Sequence, residues 1–313
     1  ARKGAKITMD ALSMGASGFL TKPSGPISTD IHVVADQLLA LIRAYGGKYA
    51  RSIGKSLTAP PADHDVHHTT SLEDRRKADN KKDSKPGLRE AAEKKVEAAK
   101  PSVLSSLQKD LPRLSPGSQP RHIDLIAIGI STGGPNALRK MLAAIDPKLQ
   151  VPIVIVQHMP AGFTREFAKS LDRICPMSVK EAENGDKLLP GNILVAPGDK
   201  HILVHKGSPG SISLSDAPPE NGHRPSADVL FRSVAAEYEN RCIAAIMTGM
   251  GRDGAREIGT LYQKGAITIG QDPESCVVYG MPKVAYDAGY LGSQISLSHM
   301  ADTICEIVAK TNG

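Results

Sequence analysis

A chain of 313 residues has room for about two domains. With 40% hydrophobic but only 4% aromatic residues and no Trp, its core must be aliphatic, and capture of single-stranded nucleic acid by base stacking is disfavoured. The net charge of +6 divides into +3 over residues 1–50, +4 over 51–120 and −1 over 121–313, so the basic excess lies outside the largest segment, and no nucleic-acid reader motif accompanies it.

In chain order, residues 5–14 have helical character and stop at Gly15. Residues 17–21 read as a short strand before Lys22-Pro23, and 31–44 place Ile31, Val34, Leu38, Leu39 and Ile42 on one helical face. Helix, strand, helix is too little to bury a core of its own. Residues 1–48 therefore read as the tail of an α/β domain whose front lies outside the chain. Residues 51–120 contain no aromatic residue, mix 14 basic with 10 acidic side chains and scatter seven prolines from Pro60 to Pro120. Such a stretch cannot bury enough apolar surface to offset its ordering entropy, and 49–120 is expected to be a disordered charged linker. A tether of that length implies only weak docking of what precedes it.

From residue 121 onward strands and helices alternate. The spacing predicts strand 123–130, a helix opened by Pro135, strand 152–157 and helix 164–174. A β-rich middle follows at 178–181, 192–196, 202–205 and 212–214. Helix 226–237, strand 242–247, helix 254–264 and strand 266–269 come after it. Repeated βαβ units argue for an α/β fold over 121–313, a doubly wound and mostly parallel sheet with a small antiparallel insertion. No apolar run approaches the ~20 residues of a membrane span, and no signal sequence opens the chain. Cys175, Cys242, Cys276 and Cys305 show no C-x-x-C spacing, so neither a zinc site nor a disulfide framework is expected, and a cytoplasmic setting fits.

Ligand sites in such sheets lie beyond the carboxyl ends of the strands. Three strands end in three different polar groups. Gly129-Ile130-Ser131-Thr132-Gly133-Gly134 offers a hydroxyl, Gln157-His158-Met159-Pro160 an imidazole, and Thr248-Gly249-Met250-Gly251-Arg252-Asp253-Gly254 a carboxylate. Together these are the parts of a nucleophilic triad. Gly129-x-Ser131-x-Gly133 between strand and helix fits a nucleophile elbow, and the backbone N–H groups that follow it favour a developing oxyanion. The alternatives are a phosphate-binding loop or a simple helix cap. A P-loop needs Gly-Lys-Ser/Thr where Pro135-Asn136 stand, and a dinucleotide site needs an acid where His158 stands. Asp253 also suits a helix cap. His201 and His205 frame a short strand and read as solvent-facing. The order Ser, His, Asp differs from that of α/β-hydrolases.

These three loops, with His223-Arg224-Pro225-Ser226-Ala227-Asp228-Val229-Leu230-Phe231, Val195-Ala196-Pro197-Gly198-Asp199 and Ser275-Cys276-Val277-Val278-Tyr279-Gly280-Met281-Pro282, strongly resemble the catalytic domain of the CheB family of chemotaxis protein-glutamate methylesterases. The resemblance spans essentially all of 121–313, with Ile130 standing where members usually carry Ala. It implies hydrolysis of γ-glutamyl methyl esters on chemotaxis receptors with release of methanol, and deamidation of receptor glutamines, with no metal or organic cofactor. It implies an oxyanion hole from the N–H groups of Thr132 and Met250, and it makes Arg165, His223 and Arg224 candidates for substrate contact. Residues 4–24 resemble the last third of a response-regulator receiver, in which Lys22 matches the phosphoryl-contacting lysine. None of Asp10, Asp30 or Asp36 matches the phospho-acceptor, so phosphorylation control is not expected on this chain. In the full-length protein the resemblance implies a chemotaxis histidine kinase as partner. The rival class is a catalytically silent output module or a nucleotide-binding Rossmann-like protein.

Overall fold

The computed structural model describes residues 3–14, 16, 18–20, 35–52, 120 and 122–313. Lys22 and most of the expected linker lie outside the described residues. At the centre, strands β1 (Leu125–Ile130), β2 (Ile153–Gln157) and β8 (Cys242–Ile246) are buried along their whole length. A strand covered on both faces needs apolar residues at nearly every position rather than at alternate ones, and these three have them. With β3 (Ser178–Glu181), β5 (Asn192–Val195), β9 (Ile267–Gln271) and β10 (Ser293–Ile295) they form a seven-stranded sheet in the order β10-β9-β8-β1-β2-β5-β3. Every pairing in it is parallel. A second, antiparallel sheet in the order β4-β7-β6 joins β4 (Lys187–Leu188), β7 (Gly210–Ser215) and β6 (His201–His205). Two strands of the β-rich middle, β3 and β5, thus belong to the main sheet, and only the remainder makes the insertion.

Side chains alternate between the faces of a strand, so the sheet separates two cores. On one face Ile126, Ile128, Ile153 and Ile155 meet helices α3 (Gly134–Ala143), α4 (Thr164–Asp172) and α8 (Met300–Asn312) through Leu138, Phe167 and Ile304. On the other, Leu125, Ala127, Val154 and Val156 meet α5 (Ala227–Glu237), α6 (Ala255–Gln263) and α7 (Met281–Asp287) through Phe231, Ile258 and Met281. Each such aliphatic side chain taken out of water contributes about 1.5–3 kcal/mol, which is how a core so poor in aromatics holds.

The N-terminal segment departs from the expectations above in three ways. Helix α1 (Lys3–Ser13) is docked: Met9 and Leu12 are buried in the first core, against α4. Phe19 stacks on Phe163 with ring centroids 5.5 Å apart, and Asn136 Nδ2 donates to the Ala16 carbonyl at 3.1 Å. Buried apolar contacts outweigh the weak effective concentration expected of a long tether. Ala16, Gly18, Phe19 and Leu20 form no strand, because no strand among the described residues pairs with them. Helix α2 (Ala35–Ser52) runs past Gly46-Gly47 to Ser52, beyond the expected boundary at 48, and exposes Leu38, Leu39 and Ile42 of its predicted apolar face.

Candidate active site

Laying β2, β5 and β3 on one side of β1 and β8, β9 and β10 on the other makes the crevice between β1 and β8 a topological switch point, where open α/β sheets bind ligands. Ser131 follows β1, His158 follows β2, and Asp253 lies in the loop between β8 and α6. The three side chains converge. Ser131 Oγ is 3.0 Å from His158 Nδ1, and His158 Nε2 is 2.7 Å from Asp253 Oδ2. With Nε2–H donating to the carboxylate, Nδ1 keeps its lone pair for the Ser131 hydroxyl proton. The His158 side chain is 7% exposed and that of Asp253 1%.

The two glycines around Ser131 serve different ends. Gly133 takes φ +83, the left-handed conformation that the strand-to-helix turn requires. Gly129 sits in β1, where a Cβ would stand 2.7 Å from Ala227 Cβ, so its bareness lets α5 approach the sheet. The spacing of the motif alone suggests a turn role for both.

Asp253 does not cap the helix that follows it: α6 is capped by Gly254 at φ +85 without a side-chain bond. Asp253 instead faces the N-terminus of α5. Oδ1 accepts from Ser226 Oγ at 2.6 Å, Asn221 Nδ2 at 2.9 Å and Asp228 N at 3.3 Å, and Oδ2 accepts from Ala227 N at 2.6 Å as well as from His158. Burial alone would raise this carboxyl's pKa. The hydrogen bond and charge of His158, with bonds from Ser226 and Asn221, outweigh it and hold the group ionised well below the usual carboxylate range. The positive end of the α5 dipole acts in the same sense.

Met250 is brought beside the nucleophile by Gly249, where a Cβ would lie 2.8 Å from Ser131 Cβ and 2.3 Å from Met281 Sδ. Neither the Thr132 nor the Met250 N–H meets an acceptor among the described residues, which leaves both open to an oxyanion. Thr248 ties these loops together: its Oγ1 donates to the Thr132 carbonyl at 2.9 Å and accepts from the N–H groups of Val277 and Val278, both at 3.1 Å. Its carbonyl takes the Ser131 N–H at 3.0 Å, and Gln271 Oε1 takes its own N–H at 3.0 Å.

The three substrate-contact candidates separate. His223 lies flat on His158, with ring centroids 3.8 Å apart and planes 11° from parallel. Arg224 is spent within the protein, donating to Asp199 in the β5–β6 turn and to the carbonyls of Asp216 and Ala217 in its own loop. Arg165 pairs with Glu181 at 3.0 Å on the rim of a groove of about 450 Å³, shared with Gly162, Glu183 and Lys200. Of the framing histidines, His205 is exposed as expected, but His201 is 1% exposed, accepting from Ser226 N and bonding the Pro218 carbonyl. Among the described residues no group of three or more His, Cys, Asp or Glu is placed to hold a metal, and no helix is long and apolar enough to cross a membrane.

The motifs do not single out Gln157, Asn221, Ser226, Thr248 or Gln271 as individuals. A signal for the two glutamines is nonetheless present: each is a polar residue closing an apolar strand, and both are buried, at 2% and 0%.

Burial, and then the neighbouring His158 ring, push His223 down to about 4 from its ordinary 6.5. Between those values the unfolded chain binds a proton that the folded chain refuses, so stability falls as the pH drops from 6.5 toward 4. The expected loss is of order 2 kcal/mol. His223→Phe keeps a ring on His158 and removes the titration. Urea midpoints at pH 7 and pH 5 should therefore fall less in this variant than in the wild type. An equal fall in both would contradict the assignment.

A family model described as CheB methylesterase matches residues 126–304. A protein-glutamate methylesterase/protein-glutamine glutaminase of Treponema denticola is 47% identical over 97% of this chain and 75% of its own length. A protein of the same name from Salmonella typhimurium is 37% identical over 96% of this chain and 71% of its own. Among solved structures, the Thermotoga maritima CheB methylesterase catalytic domain is 35% identical, with a TM-score of 0.58, over 59% of this chain and 99% of its own.

Proposed function

Since the chain belongs to the CheB methylesterase family, we propose that Ser131, His158 and Asp253 carry out its ester hydrolysis. The protein is a serine hydrolase that removes methyl groups from methylated glutamates of chemotaxis receptors and deamidates receptor glutamines. The observation that supports this assignment of roles is the unbroken line of contacts Ser131 Oγ, His158 Nδ1 and Nε2, Asp253 Oδ2.

In this reading Ser131 Oγ attacks the ester carbonyl carbon while His158 Nδ1 takes the hydroxyl proton. Asp253 holds the ring in the required tautomer and stabilises the imidazolium. The carbonyl oxygen becomes an oxyanion between the Thr132 and Met250 N–H groups. His158 then returns the proton to the departing methoxide, and methanol leaves a glutamyl ester on Ser131. Water, deprotonated by the same nitrogen, attacks that ester; His158 returns the proton to the departing Ser131 Oγ, and the glutamate is freed. With glutamine as substrate the protonated leaving group is ammonia. The place a ribose-binding acid would occupy is held by His158, bonded on both sides, which argues against the dinucleotide alternative.

The segment through the end of α2 at Ser52 fits part of a receiver and the stretch after it a linker, with a chemotaxis histidine kinase as the partner such a segment implies. Docking of α1 reaches the base loop: deleting residues 1–120 would strip Phe163, which follows His158, of its ring partner Phe19. The test of the central reading is methanol release from methylated receptor membranes. Ser131→Ala is expected to lower the rate by about 10⁴–10⁶-fold with folding intact; a loss below about tenfold would overturn the triad.

A further inference from the structure

We propose that Gln157 is a positioning residue for this reaction: its side-chain amide fixes the nucleophile loop to the base loop. The inference rests on the triad reading above and goes beyond it to a residue that touches neither substrate nor reacting atoms. Gln157 closes β2, immediately before His158, and β1 and β2 are paired up to Ile130 and Gln157. One last backbone bond, from His158 N–H to the Ile130 carbonyl at 3.2 Å, closes the ladder, and among the described residues no backbone bond joins the two loops beyond it. There Gln157 Nε2 spends both of its protons, one on the Ser131 carbonyl and one on the His158 carbonyl, each at 3.1 Å. The Ser131 carbonyl also receives Gly134 N–H at 2.8 Å, so the nucleophile's peptide is held by two donors.

Because both partners are carbonyl oxygens, only nitrogen can occupy that position. The orientation leaves Oε1 buried with no hydrogen-bond partner among the described residues. A buried orphan oxygen is a net cost that a packed Met or Leu in the same space would not carry. The amide is also given a dedicated seat: a Cβ on Gly134 would lie 2.0 Å from Oε1, so the first residue of α3 must be bare for Gln157 to lie where it does. An amide retained at that cost, in a seat cut for it, and bonded only to the peptides of the nucleophile and the base, serves their relative placement.

The test uses the full chain, with a fluorophosphonate to count competent active sites by end-point labelling. Gln157→Met keeps the length and apolar packing and removes both donated bonds. Its kcat per labelled site should fall about 10–100-fold with KM within about twofold of wild type, the signature of misplacement rather than lost binding. Its Tm should change little, because loss of the orphan oxygen offsets loss of the donor to the His158 carbonyl. Gly134→Ala, which displaces the amide without removing it, should lower kcat in the same way. If kcat per labelled site stays within twofold of wild type in both variants, the proposal is overturned, whether or not Tm falls; a fall in Tm alone marks a purely structural residue. Ser131→Ala run alongside separates this outcome from failure of the triad, since retained activity there would sink the triad itself.

Discussion

Replacing Asp253 with Asn is expected to lower kcat for ester hydrolysis by about 10⁴-fold while the chain remains folded. The size follows from the donors around the carboxylate. Ser226, Asn221 and Asp228 direct hydrogens at Oδ1, and Ala227 and His158 direct hydrogens at Oδ2. A carboxamide cannot accept on both sides. If its nitrogen faces Ser226, Asn221 and Asp228, three donors meet another donor. If it faces Ala227 and His158, it donates to His158 Nε2, which forces the imidazole proton onto Nδ1, where it points at Ser131 Oγ. In that tautomer the base has no lone pair for the nucleophile's proton. Steady-state methanol release by purified Asp253→Asn checks this, with KM expected to change little. A rate within tenfold of wild type would mean that the carboxylate does not control the tautomer.

Gly249→Ala is expected to lower kcat by about 10²–10³-fold, the scale of losing an oxyanion donor. The added methyl would fall 2.3 Å from Met281 Sδ and 2.8 Å from Ser131 Cβ. Met281 Sδ is the end of a flexible side chain and can give way. The serine backbone cannot, because its N–H is tied to the Thr248 carbonyl at 3.0 Å and its carbonyl to Gly134 and Gln157. The loop carrying Met250 must retreat, and the pair of open N–H groups separates. Overpacking of this kind costs about 1–3 kcal/mol of stability, so kcat and melting temperature are to be measured on the same preparation. Undiminished turnover would place the oxyanion elsewhere.

Ser131, His158 and Asp253 are legible in the amino-acid sequence because they stand where apolar strands give way to polar, glycine-rich loops, and parallel strands deliver such loops to one edge of the sheet. The parallel character of β3 is not legible: Ser-Val-Lys-Glu is short, half exposed and no different from the antiparallel strands beside it in sequence. The three-residue edge strand β10 carries no periodicity at all. Docking of α1 is hidden because an amphipathic helix shows that it has an apolar face, and Met9 and Leu12 do not show what that face meets. The residues that hold Asp253 lie close to or within a recognisable motif, but the reversal that turns Asn221 and Ser226 onto a carboxylate from another strand is long-range information. Asn221 takes φ +52, a conformation that asparagine tolerates and that sequence alone does not announce.

Catalysis turns on one oxygen atom, Ser131 Oγ. Treating the full chain with a fluorophosphonate in increasing amounts, mapping the adduct by mass spectrometry and assaying methanol release from methylated receptor membranes at each step measures it. The expected result is a single adduct on Ser131, with residual activity falling in proportion to its occupancy and reaching zero at one label per chain. Full methanol release from chains completely labelled at Ser131, or loss of activity tracking an adduct on another residue, would contradict it.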